Sequence, residues 1–258
     1  MIHDIAQASD PTPSGTPMPA AGTDFITLSR GEVEALCAKA ARGAGMSWGM
    51  ADEAGFAAAW LAARGFDAAA VLLAHLEATQ GKPWSRICPV VRPGAWRAAN
   101  GDPLCPIALG ATLCDFAADA ATDTDADAEG LCPSRSLTAG PVSRPLLVLP
   151  FLADIARRLN RRIRLGWSGA AVHIGPGGAL AGDLSGLALL PRATVLLVVS
   201  PQDDPGHGAA APLPATPEAR PKTSRETMAR LNALAMKTTV PPSDNSRADA
   251  GAGTTDND

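Results

Sequence analysis

The sequence predicts an α+β fold: an N-terminal helical layer, a small mixed β-sheet in the second half, and a C-terminal helix followed by an extended tail. Three observations carry this expectation. Apolar residues recur at helical spacing between residues 28 and 80, β-branched and leucine-rich runs replace them between 163 and 200, and a capped amphipathic stretch returns near residue 223.

Residues 1–27 read as a flexible lead, Pro/Ser/Thr/Gly-rich over 9–23, with neither the basic nor the apolar region of a secretory signal. A helical unit follows over 28–80. Ser29 is a candidate N-cap with Glu32 at the capping-box position, and Val33, Leu36, Cys37 and Ala40 continue one face until Gly43 and Gly45. A second helix over 50–64 aligns Ala54, Ala57, Ala58 and Leu61, and Gly65 stops it. A third, over 68–79, carries Val71, Leu72 and Leu76. Residues 81–144 are rich in Pro, Gly and Cys; extended pieces are expected at 87–91 and 106–109, and an acidic surface loop at 117–130. The α/β unit, 145–200, should hold a helix ending at Leu159 and strands at 163–167, 171–174 and 194–200, the last a buried central strand. A Pro-rich linker, 201–222, leads to a helix over 223–240, opened by Thr223 or Ser224 with Glu226 in its first turn. Met228, Leu231, Leu234 and Ala235 form its docking face. The tail is 241–258.

Most apolar residues are Ala, and there is no Tyr, so the core should be Ala, Leu and Val around a few Trp residues. A net charge of −4 argues against general nucleic-acid affinity, which rests on phosphate neutralisation by Lys and Arg. The local exception is the run Arg157, Arg158, Arg161, Arg162 and Arg164, read as a helix end entering a strand, with an anionic-ligand or RNA patch as the alternative. Five cysteines (Cys37, Cys88, Cys105, Cys114 and Cys132) form no close pair, which argues for a reducing compartment and against zinc. Cys88, Cys105 and Cys132 precede proline and should be extended. No apolar run is long enough to cross a membrane, so a cytoplasmic protein without a membrane partner is expected.

Several motifs fall short of the chemistry they imitate. Asp123, Asp125 and Asp127 begin like a calcium loop, but Ala128 holds the turn-glycine position and Ser134 the bidentate one. Ser168 sits in a near nucleophile elbow, with Asp183 and His207 in hydrolase order, but Ala170 replaces the final glycine. Gly175-Pro-Gly-Gly178 reads as a plain turn rather than an anion cradle. His75 and His173 read as packed histidines.

The tail has more specific chemistry. Ser246, Arg247 and the amides of Gly251 to Gly253 can form a nest for carboxylate or phosphate. Asp256, Asn257 and Asp258 offer hard oxygen ligands suited to magnesium or calcium, or an acidic plug for the Arg157–Arg164 run. Residues 34–55, with the pattern KAARGAG-x-x-WG-x-A-x-EAG, and residues 231–258, with SR-x-x-GAG and a closing DND, together resemble an uncharacterised bacterial family of unknown function. Thr239 and Thr254 depart from its aromatic and glycine positions. The resemblance implies that Lys39, Arg42, Trp48, Glu53, Ser246, Arg247, Asp256 and Asp258 belong to one site. Ordinary helix packing, with Trp48 as a core anchor, is the other reading of the first block. The opening helices also resemble, more faintly, the type-2 malate/lactate dehydrogenases. Ala68 and Ala69 stand where those enzymes place Ser and His, so hydride transfer is not supported.

The functional expectation is a binding or accessory protein for a small anionic metabolite or a partner enzyme, with Lys39, Arg42, Trp48, Ser246, Arg247, Gly251 and Gly253 as ligand-binding residues. The alternative is a metal-dependent metabolic enzyme acting on a carboxylated or phosphorylated small molecule. There Glu53 is the candidate base, and Asp256 and Asp258 hold a divalent metal.

Overall fold

The structure, a computed structural model, describes residues 24–119, 136–201 and 220–238. Its order is β1 (Phe25–Thr27), α1 (Arg30–Gly43), α2 (Trp48–Ala62), α3 (Ala68–Thr79), β2 (Ala95–Trp96), α4 (Pro106–Asp119), β3 (Ser136–Ser143), α5 (Leu149–Leu159), β4 (Arg162–Trp167), β5 (Ala170–Ile174), β6 (Leu180–Gly182), α6 (Leu184–Leu189), β7 (Arg192–Ser200), β8 (Lys222–Ser224) and α7 (Arg225–Ala235). Helices and a mixed six-stranded sheet make the α+β architecture that the sequence predicts.

The first helices begin where side-chain oxygens can satisfy their open amides. Glu32 N donates to Ser29 Oγ at 3.2 Å and Ser29 N donates to the Glu32 carboxylate at 2.6 Å, closing the predicted capping box. Ser47 and Asp67 cap α2 and α3 in the same way. The Ala face of α2 then lies against α1: Ala54, Ala57 and Ala58 are fully buried, and a Cβ on Gly55 would stand 2.7 Å from the Glu34 carbonyl oxygen. At the other end of α1, a Cβ on Gly43 would overlap the Leu234 carbonyl of α7. Two glycines of the first resemblance block are therefore close-contact glycines between helices. Ser224 caps α7; of its expected docking face Leu231, Leu234 and Ala235 are buried and Met228 is half-buried. Thr27 and Lys222 pair across β1 and β8, so the end of the lead and the end of the linker form a two-stranded ribbon beside α1.

The larger sheet runs β2-β3-β7-β4-β5-β6, antiparallel except for the β2–β3 pair. Strands β4, β5 and β7 overlap the three expected runs. Strand β7 is interior but not buried on both faces. Val195, Leu197 and Val199 face the core while Leu196 is exposed, because antiparallel neighbours need only one covered face. A second correction concerns residues 106–109, expected to be extended. They open α4, with Pro106 at its first position and the Cys105 carbonyl accepting from Leu109 N at 2.9 Å. Proline is well suited there, since its missing N–H has no intrahelical partner to lose. Ile107, Leu109 and Leu113 then bury one face of the helix. The acidic stretch 117–130 starts inside α4, and its remainder lies outside the described residues. Residues 87–91 give only a bridge between Val90 and Arg97.

Candidate functional site

Helix α2 buries its alanines, so its opposite side is turned outward. Trp48, Asp52 and Phe56 recur there every fourth residue, one above another. Trp48 is 69% exposed and Phe56 38% exposed, which overturns the reading of Trp48 as a core anchor. The physical reason is position: Trp48 is the first residue of α2, on the side of the helix away from the buried Ala54 and Leu61. The Arg42 guanidinium stacks 5.0 Å from the Trp48 ring centroid, and its Nη1 donates to the Met46 carbonyl at 2.7 Å. Arg42 and Trp48 are thus in contact, with Lys39 exposed one turn earlier on α1.

Below this stripe α1, α2, α4 and α5 enclose an open cleft of about 610 Å³. Five carboxylates line it, those of Glu34, Asp52, Glu53, Asp115 and Asp154, with Phe56 and Phe151 as apolar surface. The two phenyl rings meet edge to face, centroids 6.1 Å apart. Arg157 and Arg158 also reach the cleft, but both are drawn to Asp154, at 2.6 Å and 2.9 Å. Arg158 further donates to the Cys114 carbonyl at 3.2 Å. The cleft keeps a negative balance, since five carboxylates face two guanidinium groups.

Glu53 feels that balance most. Its carboxyl is raised above the usual range, first by burial and then by the charges of Asp115, Asp154 and Asp52. The Cys114 thiol beside it is pushed up to about 11, mainly by burial and against the pull of Arg158, so it stays protonated at neutral pH. The cleft can accept a cation, and Glu53 can hold or release a proton there. Among the described residues no group of three or more His, Cys, Asp or Glu is arranged to hold a metal ion.

A second polar cluster was invisible in the sequence because its members are far apart along the chain. His75 of α3 has Nδ1 3.0 Å from Ser143 Oγ and Nε2 3.3 Å from Cys105 Sγ. All three residues are buried. Burial lowers His75 to about 3 and raises the Cys105 thiol to about 11, so both are neutral. This is a hydrogen-bonded tie between α3, the start of α4 and β3, not an activated nucleophile.

Other motifs resolve into turns and caps. Ser168 and Gly169, with φ of 37° and 85°, are the two residues of the β4–β5 hairpin turn, so no nucleophile elbow exists. Asp183 caps α6 through Gly186 N at 2.8 Å. Gly175 to Gly178 form the turn between β5 and β6. His207, Asp123, Asp125 and Asp127 lie outside the described residues, as do Ser246, Arg247, Gly251, Gly253, Asp256 and Asp258. Helix α7 ends against the C-terminal end of α1, which carries Arg42, and the chain leaves the described residues from that corner.

Residues 28–105 match a family described as a protein of unknown function (DUF3726). The helical unit, including the first resemblance block, is thus similar to an uncharacterised family; the second block lies beyond the matched residues. No curated protein matches the chain. The matched stretch contains α1 to α3, β2 and Cys105, so it holds Trp48, Asp52, Glu53 and Phe56 but not the α4 and α5 walls of the cleft. Signals for Phe56 and Asp52 were present in the sequence as the fourfold spacing from Trp48. Nothing comparable announced Asp115 or Asp154, whose helices had first to be placed. No described helix is long and apolar enough to cross a membrane.

Proposed function

We propose that this is a binding or accessory protein that recognises a partner protein through the outward face of α2, with a cationic group of the partner entering the acidic cleft. The observation that carries this reading is the pair of exposed aromatics, Trp48 and Phe56, straddling Asp52 above a carboxylate-lined concavity. Exposed tryptophan beside arginine is the composition of interaction hot spots, and a surface of this kind has no folding role that would keep it apolar. Five carboxylates favour a lysine, arginine or amine over the small anionic metabolite. Lys39 and Arg42 extend the same corner of the molecule, where an acidic segment of the partner would complement them.

The test is affinity capture with the full-length chain, followed by reconstitution of the complex from purified components. Trp48→Ala and Phe56→Ala should each weaken the purified complex by about tenfold or more; Trp48→Ala should leave thermal stability within about 0.5 kcal/mol of the parent, whereas Phe56→Ala also loses the ring contact with Phe151, about 1 kcal/mol. A partner held equally well by both variants overturns the reading.

One observation favours an enzyme as the second reading: Glu53, with its raised carboxyl, stands in the cleft as a general base. That reading requires turnover which Glu53→Gln abolishes while substrate binding persists. The divalent metal it would use rests on Asp256 and Asp258, outside the described residues.

A further inference from the structure

The arginine run that looked continuous in the sequence is divided by the fold. Arg157 and Arg158 end α5 and turn to Asp154 in the acidic cleft. Arg162 and Arg164 lie in β4, where they alternate with Ile163 and Leu165, which are fully buried under the helices. The two arginines therefore project from the opposite face of the sheet, on which no described helix packs. Register places Ser200 directly beside Arg162 and Val198 directly beside Arg164.

Three observations make this face a recognition surface rather than a solvated one. The strand positions that share it on β3, β4, β5, β6 and β7 include Arg162, Arg164 and His173 and no carboxylate. Ser200 is only 6% exposed, and its hydroxyl has no hydrogen-bond partner among the described residues, a costly state for a buried donor beside a guanidinium. Gly166 leaves the strand bare beneath Arg164: a Cβ there would stand 2.9 Å from Arg164 Nη1, so the guanidinium lies flat along the sheet.

We propose that this open face binds an extended, carboxylate-rich polypeptide segment of a partner. Arginines two residues apart on one strand stand about 7 Å apart, the spacing of alternate side chains in an extended segment lying on the sheet. The guanidinium forks and the Ser200 hydroxyl are then donors to successive carboxylates, and Leu196 and Val198 supply apolar contact between them. The face carries no Phe, Tyr or Trp at these strand positions, so it lacks the large-ring stacking platform of a single-stranded nucleic-acid site.

The probe is a fluorescein-labelled peptide of alternating aspartate and threonine, titrated with the full-length chain and followed by anisotropy. Expected is binding that weakens steeply with salt and is reduced about tenfold or more in R162E/R164E. Arg164→Gln and Ser200→Ala, smaller changes that keep the strand, should each cost about threefold or more. Trp48→Ala should leave the peptide affinity unchanged, so failure here and failure of the α2 reading are separable. Absence of binding, or equal affinity in R162E/R164E and Arg164→Gln chains that retain the parent circular dichroism, overturns the proposal. So does tighter binding of a single-stranded oligonucleotide of equal charge through the same arginines. A wild-type chain blind to the peptide, beside a D123N/D125N/D127N chain that binds it, assigns the face to the protein's own acidic run and overturns the partner.

Discussion

His75 shows at the scale of one residue how position changes chemistry. On helix α3 it lies among leucines, and the ordinary reading is packing. The structure agrees about packing but gives both ring nitrogens partners, Ser143 and Cys105, that no spacing rule could have supplied. Its depression to about 3, caused by burial first and then by Arg144 and Lys82, has a definite sign for stability. The unfolded chain binds this proton near pH 6.5 and the folded chain resists it down to about 3. Folding is therefore favoured in full above pH 6.5 and loses stability as pH falls through that window, by about 1.4 kcal/mol for each unit of depression realised. Urea denaturation between pH 7 and pH 4 should show the loss, and His75→Gln should flatten it. Glu53 has the opposite sense. Its carboxyl is raised in the folded chain, so its repulsion grows as pH rises above the ordinary value of 4.5 and is fully present once the group is ionised. Glu53→Gln should leave the protein slightly more stable at pH 8, by under about 1 kcal/mol given its partial exposure, and indistinguishable from the parent at pH 4.

Among the elements, α1 and α2 explain why the first resemblance block supports two readings at once. Gly43 and Gly55 answer to packing, because backbone atoms of α7 and α1 occupy the space a side chain would need. Arg42, Trp48 and Asp52 answer to the surface. Both demands fall on one short segment, since a helix pair this closely packed must bury one side and present the other. Gly43→Ala and Gly55→Ala should each destabilise by about 1–3 kcal/mol despite the better helix propensity of alanine, measured as a fall in the urea midpoint at unchanged slope. The caps at Ser29, Ser47, Asp67 and Ser224 follow from local rules and were partly legible: Ser29 could be named from its neighbours alone, and Ser224 as one of two candidates with Thr223. Helix α4 was not legible. Residues 106–109 read as extended, and only the place of Pro106 at the helix start, with Gly110 admitting the Phe151 ring, makes the stretch compatible with a helix.

In the whole molecule, the helical layer divides the charge. The sequence carries a mild acidic excess with one basic run. Folding gathers carboxylates from four helices into one cleft and sets Arg162 and Arg164 on the far side of the sheet, so a nearly balanced chain becomes two surfaces of opposite sign. By itself the sequence determined the helices of residues 30–79, the strands β4, β5 and β7, the amphipathic α7, and the likeness of the helical unit to an uncharacterised family. These depend on periodicity, caps and motif spacing, which are properties of neighbours along the chain. Only the tertiary structure decided that Trp48 is outside, that Asp115 and Asp154 join Glu53, that His75 is tied to Cys105 and Ser143, and that β7 has one open face. Each of those depends on which element covers which. Coverage follows from burying apolar area between segments distant in sequence, a matter on which local pattern carries no information.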